Sequence, residues 1–356
     1  MRIGIDAREL VGQVTGVGRY LDGLLAEWTS SAAARRHHFV LYAPSALPPQ
    51  YSAFEVRLVP GSSGSRWQQT TLAAAVRRDG PDAFFAPQYT APLLIKTPTV
   101  VVIYDVSFAA HPEWFRTREG IRLRTLARLS ASAARAIVTI SAFSRDEIAE
   151  HLRVDPRRIH VIPPGIPRRD TGGAAPPRSA RVLYVGSIFS RRHVLDLIRA
   201  FAEVAQTHSD AELDLVGDNR SYPFEDVTSA IAREQLGDRV RWHRYVSDAQ
   251  LNELYARARA FAFLSEYEGL GLTPLEALSA GVPSVLYDTS VARESCGDAA
   301  LYVSAGDHRA TARAIATLLY DDAAREAVLR SRENTLARYS WSRAATETLN
   351  VIERCR

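Results

Sequence analysis

The chain has 356 residues, of which 46% are hydrophobic and 24% are charged, and its net charge is +4. This length favours two domains, because one hydrophobic core rarely serves more than about 250–300 residues. The composition is that of an ordinary globular protein, no apolar run approaches the roughly 20 residues of a membrane span, and the charged start MRIGIDAREL is not typical of a signal peptide.

Short apolar runs alternate with amphipathic stretches along the chain, a pattern typical of parallel sheets with crossover helices. Helical spacing is clearest from Tyr20 to Trp28 and through Arg118–Ala134. In the first half of the chain we predict strands at Arg2–Asp6, Phe39–Tyr42, Ala83–Phe85, Val100–Ile103, Ala136–Ile140 and His160–Ile162.

The segment Pro167–Ser179 is rich in Pro, Gly and charge, and it predicts a linker. After it the alternation restarts with a strand at Val182–Val185, a helix at Leu195–Val204 and a strand at Leu213–Val216. Two such series predict two Rossmann-like domains that face each other across a cleft. Ligands of these sheets bind at the carboxyl ends of the strands.

The turn between Thr15 and Tyr20 follows the first predicted strand and contains Gly16 and Gly18. Either this turn binds a ligand through its backbone, or its glycines serve only the conformation of the turn. The third glycine of a dinucleotide-binding GxGxxG fingerprint is absent, so the sequence does not favour a dehydrogenase.

A second glycine turn follows the strand at Val182–Val185 and reads Gly186-Ser187-Ile-Phe-Ser-Arg191-Arg192. Two guanidinium groups at a strand-to-helix junction suit a diphosphate, because each offers a planar fork to phosphate oxygens. The alternative is a pair of exposed surface arginines.

The most informative motif follows the apolar run Phe261–Leu264, where Glu268 and Glu276 bracket a glycine-rich turn. Glycines allow backbone N–H groups to approach a ligand, and a helix start adds unpaired donors and partial positive charge. The turn therefore suits an anion or a hydroxyl-rich group. The alternative for Glu276 is a capping box with Thr273, with Pro274 at the first helical position.

Taken together, these motifs resemble the donor site of retaining glycosyltransferases of family 4, which have the GT-B fold. Looser matches are Ser141–Ser144 before a helix, Val161–Gly165 before the linker, and a C-terminal helix led by Trp341. The resemblance implies an α/β protein whose C-terminal helix crosses back to the N-terminal domain. It assigns residues 1–168 and 340–356 to an acceptor-binding domain and residues 178–339 to a nucleotide-sugar donor domain.

The resemblance also implies a role for each motif. Arg191 and Arg192 stand where the family has an arginine and a lysine that meet the donor's diphosphate. Glu276 would hold the ribose hydroxyls and Glu268 would lie near the transferred sugar. The other residues expected to bind the donor are Gly16, Gly18, Gly186, Ser187, Tyr245, Val246, Gly269, Leu270, Gly271 and Leu272. A core strand would explain Tyr245 and Val246 equally well.

The chain departs from the family at Tyr104, which stands where members commonly have a histidine that meets the reacting sugar, while the following Asp105 remains. We expect the catalytic group to be Glu268, Asp105, Tyr104 and Arg191. His111 and Arg19 are the candidates for contacting the acceptor.

The resemblance implies a retaining, metal-independent hexosyltransferase without a cofactor, acting with a GDP- or UDP-sugar on a glycan or polyprenyl-diphosphate-linked acceptor in bacterial surface polysaccharide synthesis. The alternatives are a GT-B-like nucleotide-sugar epimerase and a non-catalytic nucleotide-sugar-binding protein. Cys296 and Cys355 match no metal or redox spacing, so we expect a cytoplasmic protein. We expect no nucleic acid partner.

Arginines cluster in and just before the predicted helix at Arg118–Ala134, following Trp114-Phe115. We expect Leu123, Leu126 and Leu129 to face the core and the arginines to form either a solvated face or a basic strip for an anionic membrane. The arginines of this cluster are Arg116, Arg118, Arg122, Arg124, Arg128 and Arg135.

Overall fold

The structure is a computed structural model that describes residues 1–12, 16–168 and 179–355. The chain forms two compact units. The first comprises Met1–Pro112, Thr117–Gly165 and Tyr339–Arg356, and the second comprises Glu113–Arg116 and Ile166–Arg338. Thr15 of the first glycine turn and most of the predicted linker lie outside the described residues.

The first unit contains an all-parallel seven-stranded sheet in the order β3-β2-β1-β4-β5-β6-β7. Six strands are predicted by their apolar runs. The seventh, β3, carries half-buried and charged side chains at the sheet edge, so it has no apolar run to predict it. The strands are β1 Arg2–Asp6, β2 His38–Ala43, β3 Glu55–Leu58, β4 Ala83–Ala86, β5 Thr99–Val102, β6 Ala136–Thr139 and β7 Ile159–Val161.

The second unit contains an all-parallel six-stranded sheet in the order β10-β9-β8-β11-β12-β13. In each sheet the strand order reverses beside the first strand, between β1 and β4 and between β8 and β11. Such a switch point opens a crevice at the carboxyl ends of the strands. The strands are β8 Arg181–Val185, β9 Glu212–Val216, β10 Val240–His243, β11 Ala260–Phe263, β12 Ser284–Tyr287 and β13 Ala300–Val303.

Helices connect the strands, and the last one returns to the first unit. A π-helical stretch at Gln68–Leu72 joins α2 to α3. The α-helices of the described residues are α1 Gly16–Ser30, α2 Ser65–Trp67, α3 Ala73–Asp79, α4 Ser107–Ala110, α5 Thr117–Ala133, α6 Ala142–Leu152, α7 Val194–Thr207, α8 Val227–Arg233, α9 Asp248–Arg257, α10 Leu272–Ser279, α11 Ser290–Cys296, α12 His308–Tyr320, α13 Asp322–Leu329, α14 Arg332–Leu336 and α15 Trp341–Arg354.

Helix α15 packs on the first unit against α1, as the resemblance implied. The Trp28 indole Nε1 donates to the Ala345 carbonyl at 3.0 Å, which joins the two helices. The Trp341 ring covers Gly23 and Gly165. A β-carbon at Gly23 would lie 2.6 Å from the ring, and one at Gly165 would overlap it. The match at Val161–Gly165 and the match at Trp341 are therefore two halves of one contact.

Helix α5 buries its small residues Gly120, Ala127, Ser130 and Ala131. The expectation that Leu129 faces the core is wrong, since its side chain is 48% exposed. Small side chains let the helix lie close to its neighbours. Of the larger apolar side chains, Ile121 and Leu129 are exposed, whereas Leu123 and Leu126 are half-buried.

Candidate functional site

The richest group of predicted residues lies in the second unit, where β8 and β11 run side by side. The turn after β8 holds Gly186 to Arg192, and the turn after β11 runs through Glu268 into α10. Both turns follow the carboxyl ends of strands at the switch point of the sheet. The structure therefore brings the two motifs together where an open α/β sheet binds its ligands.

The glycines at the ends of β8 and β9 allow the backbones to meet closely. Gly186 has φ of +146° and Gly217 has φ of +143°, which L side chains rarely adopt. A β-carbon on Gly217 would overlap the carbonyl of Gly186, and one on Gly186 would lie 2.8 Å from Nη1 of Arg192. Gly186 thus leaves room for the Arg192 guanidinium, and Gly217 leaves room for the backbone of Gly186.

The Arg192 guanidinium forms a two-pronged ion pair with Glu268. Its Nε donates to Oε1 at 2.7 Å and its Nη2 donates to Oε2 at 3.0 Å, while Nη1 donates to the Ser187 carbonyl at 2.9 Å. Ser265 Oγ donates to the same carboxylate at 3.0 Å. Both side chains are largely buried, 13% and 17% exposed.

This pair adds a contact that the sequence did not predict. Arg192 is expected to meet the donor's diphosphate, and in the structure its guanidinium pairs with Glu268. Glu268 is expected to lie near the transferred sugar, and in the structure its oxygens accept three hydrogen bonds. In this arrangement the pair fixes the two turns to each other, and Glu268 acts as a positioning group.

The electrostatics of the pair follow from burial and charge. Burial alone would raise the pKa of Glu268, but the neighbouring Arg192 and Arg191 guanidinium groups bring that pKa below its ordinary value. Burial opposes the charged form of Arg192, yet the Glu268 carboxylate raises the pKa of Arg192 above its ordinary value. Burial also raises the pKa of the adjacent Tyr184 to about 12. At neutral pH the pair is fully ionised.

Arg191 differs from its neighbour, because its charge has no carboxylate partner in the part of the chain described. Its guanidinium lies 4.3 Å from the centre of the Phe189 ring. Its Nε is buried without a hydrogen-bond partner among the described residues. Arg191 sits in a single 3₁₀ turn, Ser190–Arg192, and α7 begins only after His193, whose φ is +45°.

The start of α10 is built by Gly271 and not by a capping box. Gly271 is the N-cap with φ of +82°, and no side chain caps the helix. Pro274 is the third helical residue, and Thr273 Oγ1 is buried without a hydrogen-bond partner among the described residues. The capping explanation of the half-buried Glu276 is therefore wrong.

The turn before α10 is mostly inaccessible at its centre. Gly269 and Leu270 are buried, whereas Gly271 and Leu272 are half-buried and open towards the first turn of the helix. Gly271 and Leu272 carry N–H groups of a helix start, so the end of the turn next to α10 is the part that can meet an anion.

Tyr245 and Val246 lie beyond β10, in the turn that precedes α9. The Tyr245 side chain is 73% exposed, which excludes the core-strand alternative for this residue, and Val246 is half-buried. Ser247 begins α9 with a capping box to Gln250. The capping box thus fixes the end of the turn that joins α9, and the Tyr245 ring of the turn is exposed.

Gly16, Gly18 and Arg19 lie in the first turn of α1, in the first unit. Gly16 is the first residue of the helix, and Gly18 is buried while Arg19 is exposed. A β-carbon on Gly16 would lie more than 4 Å from the other described residues, apart from its chain neighbours and the backbone of its own helix.

The structure does not support a sugar-binding role for Tyr104. Its ring is buried and its hydroxyl donates to the Pro87 carbonyl at 2.8 Å. Burial raises its pKa well above the ordinary value. Asp105 Oδ1 accepts from the Ser107 N–H at 2.9 Å and hydroxyl at 2.6 Å, and Oδ2 accepts from the Tyr89 hydroxyl at 3.0 Å. These bonds hold the start of α4, and His111 is its C-cap.

Sequence reasoning missed a buried polar network at the end of β1. Asp6 Oδ2 pairs with Arg8 Nη2 at 2.7 Å and accepts from Gln68 Nε2 at 3.3 Å. The Arg8 guanidinium lies 5.7 Å from the centre of the Trp67 ring. An aspartate and an arginine two positions apart after an apolar strand are the signal that could have found it.

A second missed group surrounds His193 beside Arg191. Its Nδ1 lies 3.3 Å from Asp196 Oδ2 and its Nε2 lies 3.3 Å from Glu266 Oε2. The contact with Asp196 raises the pKa of His193, burial opposes this, and Glu266 adds to the rise. The histidine therefore links the start of α7 to the turn after β11.

The ion pair predicts a pH-dependent cost for Glu268→Gln. Losing the charge should cost on the order of 3 kcal/mol of unfolding free energy at pH 7, because it leaves a buried guanidinium unpaired. The pKa of Glu268 is lowered by folding, so its contribution is complete above the unfolded pKa and is lost as pH falls through the folded pKa. The difference between wild type and variant should shrink below about pH 4.3.

Urea unfolding followed by circular dichroism from pH 3 to pH 7 measures this difference without the screening that guanidinium chloride adds. Glu253→Gln on the exposed face of α9 is the matched control. Equal stabilities at pH 7, or a difference that does not change with pH, would contradict the assignment.

Comparison with known proteins identifies the family and the fold. Residues 170–335 match the family described as glycosyl transferases group 1, and residues 14–169 match the one described as glycosyltransferase family 4. The chain is 28% identical over 267 residues to O-antigen chain mannosyltransferase B of Escherichia coli, covering 71% of this chain and 70% of that protein.

It is also 27% identical over 217 residues to the GDP-mannose:cellobiosyl-diphosphopolyprenol alpha-mannosyltransferase of Xanthomonas oryzae pv. oryzae, covering 61% of this chain and 56% of that protein. The fold matches Anabaena Alr3699/HepE, solved in complex with UDP and glucose, with a TM-score of 0.74 at 17% identity over 99% of both chains. The two family matches together extend from residue 14 to residue 335, and the chain belongs to glycosyltransferase family 4, with the GT-B fold of that family.

Proposed function

We propose that the protein is a retaining, metal-independent hexosyltransferase that moves mannose or a related hexose from a GDP- or UDP-sugar to a glycan or polyprenyl-diphosphate-linked acceptor. The observation that carries the proposal is Arg191, a guanidinium without a carboxylate partner at the switch point of the second sheet, in the part of the chain described. A nucleoside diphosphate is the ligand whose charge this arginine and the nearby start of α10 would meet.

The division of roles within the site follows from the contacts. Arg191 and the N–H groups at Gly271 and Leu272 would stabilise the negative charge that grows on the leaving diphosphate. Glu276, which does not serve a capping box, would accept from the ribose hydroxyls. Glu268 would hold Arg192 and so shape the turn that faces the sugar.

Retention and metal independence come to this chain from the family resemblance. In front-face attack, the acceptor hydroxyl bonds to the anomeric carbon as the bond to the diphosphate breaks, and the proton passes to the leaving phosphate oxygen. Within the described residues, one group with the spacing of metal ligands occurs, Glu147, Glu150 and His151, on α6 of the first unit. This group lies in the first unit and the arginines lie in the second. In the proposal, Arg191 therefore stabilises the charge of the leaving diphosphate.

The two curated relatives support the donor and acceptor classes. One is named for mannose transfer in O-antigen chains and the other for transfer from GDP-mannose to a diphosphopolyprenol-linked sugar. We extend these classes to the present chain as a proposal. Product analysis without an acceptor distinguishes a transferase, which releases only slow hydrolysis products, from an epimerase, which converts the donor itself. A protein that only binds the donor would form neither product.

A contact with an anionic membrane surface is part of the proposal. Exposed arginines of α5 stand beside exposed apolar side chains, with Ile121 52% exposed and Leu129 48% exposed. Cations beside outward-facing apolar groups are the pattern of helices that lie in a lipid interface. None of the helices in the described ranges has the length and apolar character needed to cross a membrane.

Replacing Arg191 tests the diphosphate site. Wild-type protein is first screened by thermal shift against UDP-, GDP- and ADP-sugars, since a ligand at 100 times its Kd adds about 2.7 kcal/mol of stability. Arg191→Ala should then weaken binding of the corresponding nucleoside diphosphate by about 1.5–3 kcal/mol in calorimetry, because a charge-assisted contact is lost. Arg313→Ala, exposed on α12, is the control. Unchanged affinity of the Arg191 variant would refute the site.

Replacing Glu276 by glutamine separates binding from stability. The variant should keep a near-normal melting temperature, because Glu276 is not part of a capping box. It should lose about 1.5–3 kcal/mol of donor affinity, because a neutral amide is a weaker acceptor for ribose hydroxyls than a carboxylate. Melting curves and calorimetry are compared with those of Glu253→Gln. A loss of stability with intact affinity would assign Glu276 a structural role.

Vesicle co-sedimentation tests the membrane contact. Recovery with vesicles should rise with anionic lipid and fall with salt, since each cation near the surface adds about 1 kcal/mol and is screened. Replacing Arg118, Arg122 and Arg128 together by alanine should abolish the dependence of recovery on anionic lipid. Replacing Arg309, Arg313 and Arg330 of the second unit by alanine changes the net charge equally and should leave that dependence unchanged. Equal recovery with neutral and anionic vesicles would refute the contact.

A further inference from the structure

A short segment, Glu113–Arg116, belongs to the second unit although Pro112 before it and Thr117 after it belong to the first. Its Trp114 ends a 3₁₀ turn at Pro112–Trp114 and lies against the Arg191 guanidinium. We propose that Trp114 is a positioning residue that orients Arg191 towards the diphosphate of the donor. The inference rests on the proposed function, in which Arg191 binds that diphosphate.

The guanidinium of Arg191 contacts two aromatic rings. Its Cζ lies 4.3 Å from the centre of the Phe189 ring and 5.8 Å from the centre of the Trp114 ring. Both distances are within the range of a cation–π interaction. The aromatic contacts restrict the side chain, while its Nε is buried and makes no hydrogen bond to the described residues.

Trp114 also contacts the second turn of the site. Its ring packs edge-on against Tyr267, with 6.0 Å between ring centres and an interplanar angle of 70°. Tyr267 is buried and precedes Glu268, and the Ser265 hydroxyl lies 3.2 Å from the Tyr267 carbonyl and 3.0 Å from the Glu268 carboxylate, which share its one proton. One indole therefore rests on both turns that form the candidate donor site.

An aromatic contact suits Arg191 better than a carboxylate would. Arg192 is oriented by Glu268, but the ion pair neutralises its charge. Aromatic faces orient a guanidinium without neutralising it as a paired carboxylate does, so Arg191 keeps a positive charge that can attract a phosphate. The two neighbouring arginines are thus oriented by different contacts. Only the aromatic contacts, those of Arg191, leave a cation for the ligand.

Calorimetry with UDP and GDP on the full chain tests the inference. Trp114→Ala should raise the Kd of the bound nucleoside diphosphate about three- to thirtyfold, the range of a partly desolvated cation–π contact. Trp114→Phe keeps an aromatic face and should stay within about threefold of wild type. Phe224→Ala removes a 75% exposed aromatic side chain from the same unit and should have no effect. Melting curves show that each variant is folded.

A double-mutant cycle separates positioning from general packing. If Trp114 acts through Arg191, Trp114→Ala should not weaken binding further in an Arg191→Ala background. Additive losses, or wild-type affinity in folded Trp114→Ala, would overturn this inference and leave the proposed function in place. Absence of UDP and GDP binding by the wild type would overturn the proposed function and this inference with it.

Discussion

The candidate donor site depends on one buried ion pair, Arg192 with Glu268. It connects the turn after β8 to the turn after β11, two segments that are 76 positions apart in sequence. Two charges in a largely buried place are stable only when each satisfies the other and the remaining polar atoms are bonded, a condition that the Ser187 carbonyl and the Ser265 hydroxyl complete. Gly186 at the end of β8 provides the space for the guanidinium. The position of Arg191 and the approach to α10 follow from that fixed pair.

Under the proposed function, the site places one cation for a ligand, Arg191, beside another, Arg192, that pairs within the protein. A matching carboxylate stabilises a guanidinium best, but it also lowers the electrostatic potential available to an anion. Aromatic rings hold a guanidinium more weakly and leave its charge intact. The start of α10 contributes in the same direction, because a glycine N-cap leaves the first N–H groups of the helix without a side-chain acceptor. Under the proposed function, different residues therefore serve stability and ligand binding.

Much of the fold could be predicted from the sequence, because parallel strands are buried on both faces and appear as short apolar runs. The family resemblance and the two-sheet architecture are confirmed. Edge strand β3 was missed because its side chains are half-buried. The pairing of Arg192 with Glu268 could not be derived, since it depends on which strands are neighbours. Thr273 and Pro274 matched a helix-start pattern, but Gly271 with positive φ begins the helix earlier. Tyr104 was misjudged because a phenol can also serve as a buried core group.

The contact of Trp341 with Gly165 has a consequence for the ancestry of the chain. The chain leaves the first unit after Gly165 and returns to it at Tyr339, and the backbone nitrogen of Trp341 would lie 2.5 Å from a β-carbon placed on Gly165. Exit and return are therefore spatial neighbours, so residues 166–338 are inserted between adjacent points of the first unit. Insertions with close ends are readily accommodated by a host domain. An exchange of residues 166–338 as one segment would thus keep Trp341 packed on Gly23 and Gly165 at the junction of the first unit, and it would leave the Glu113–Arg116 segment of the second unit in place.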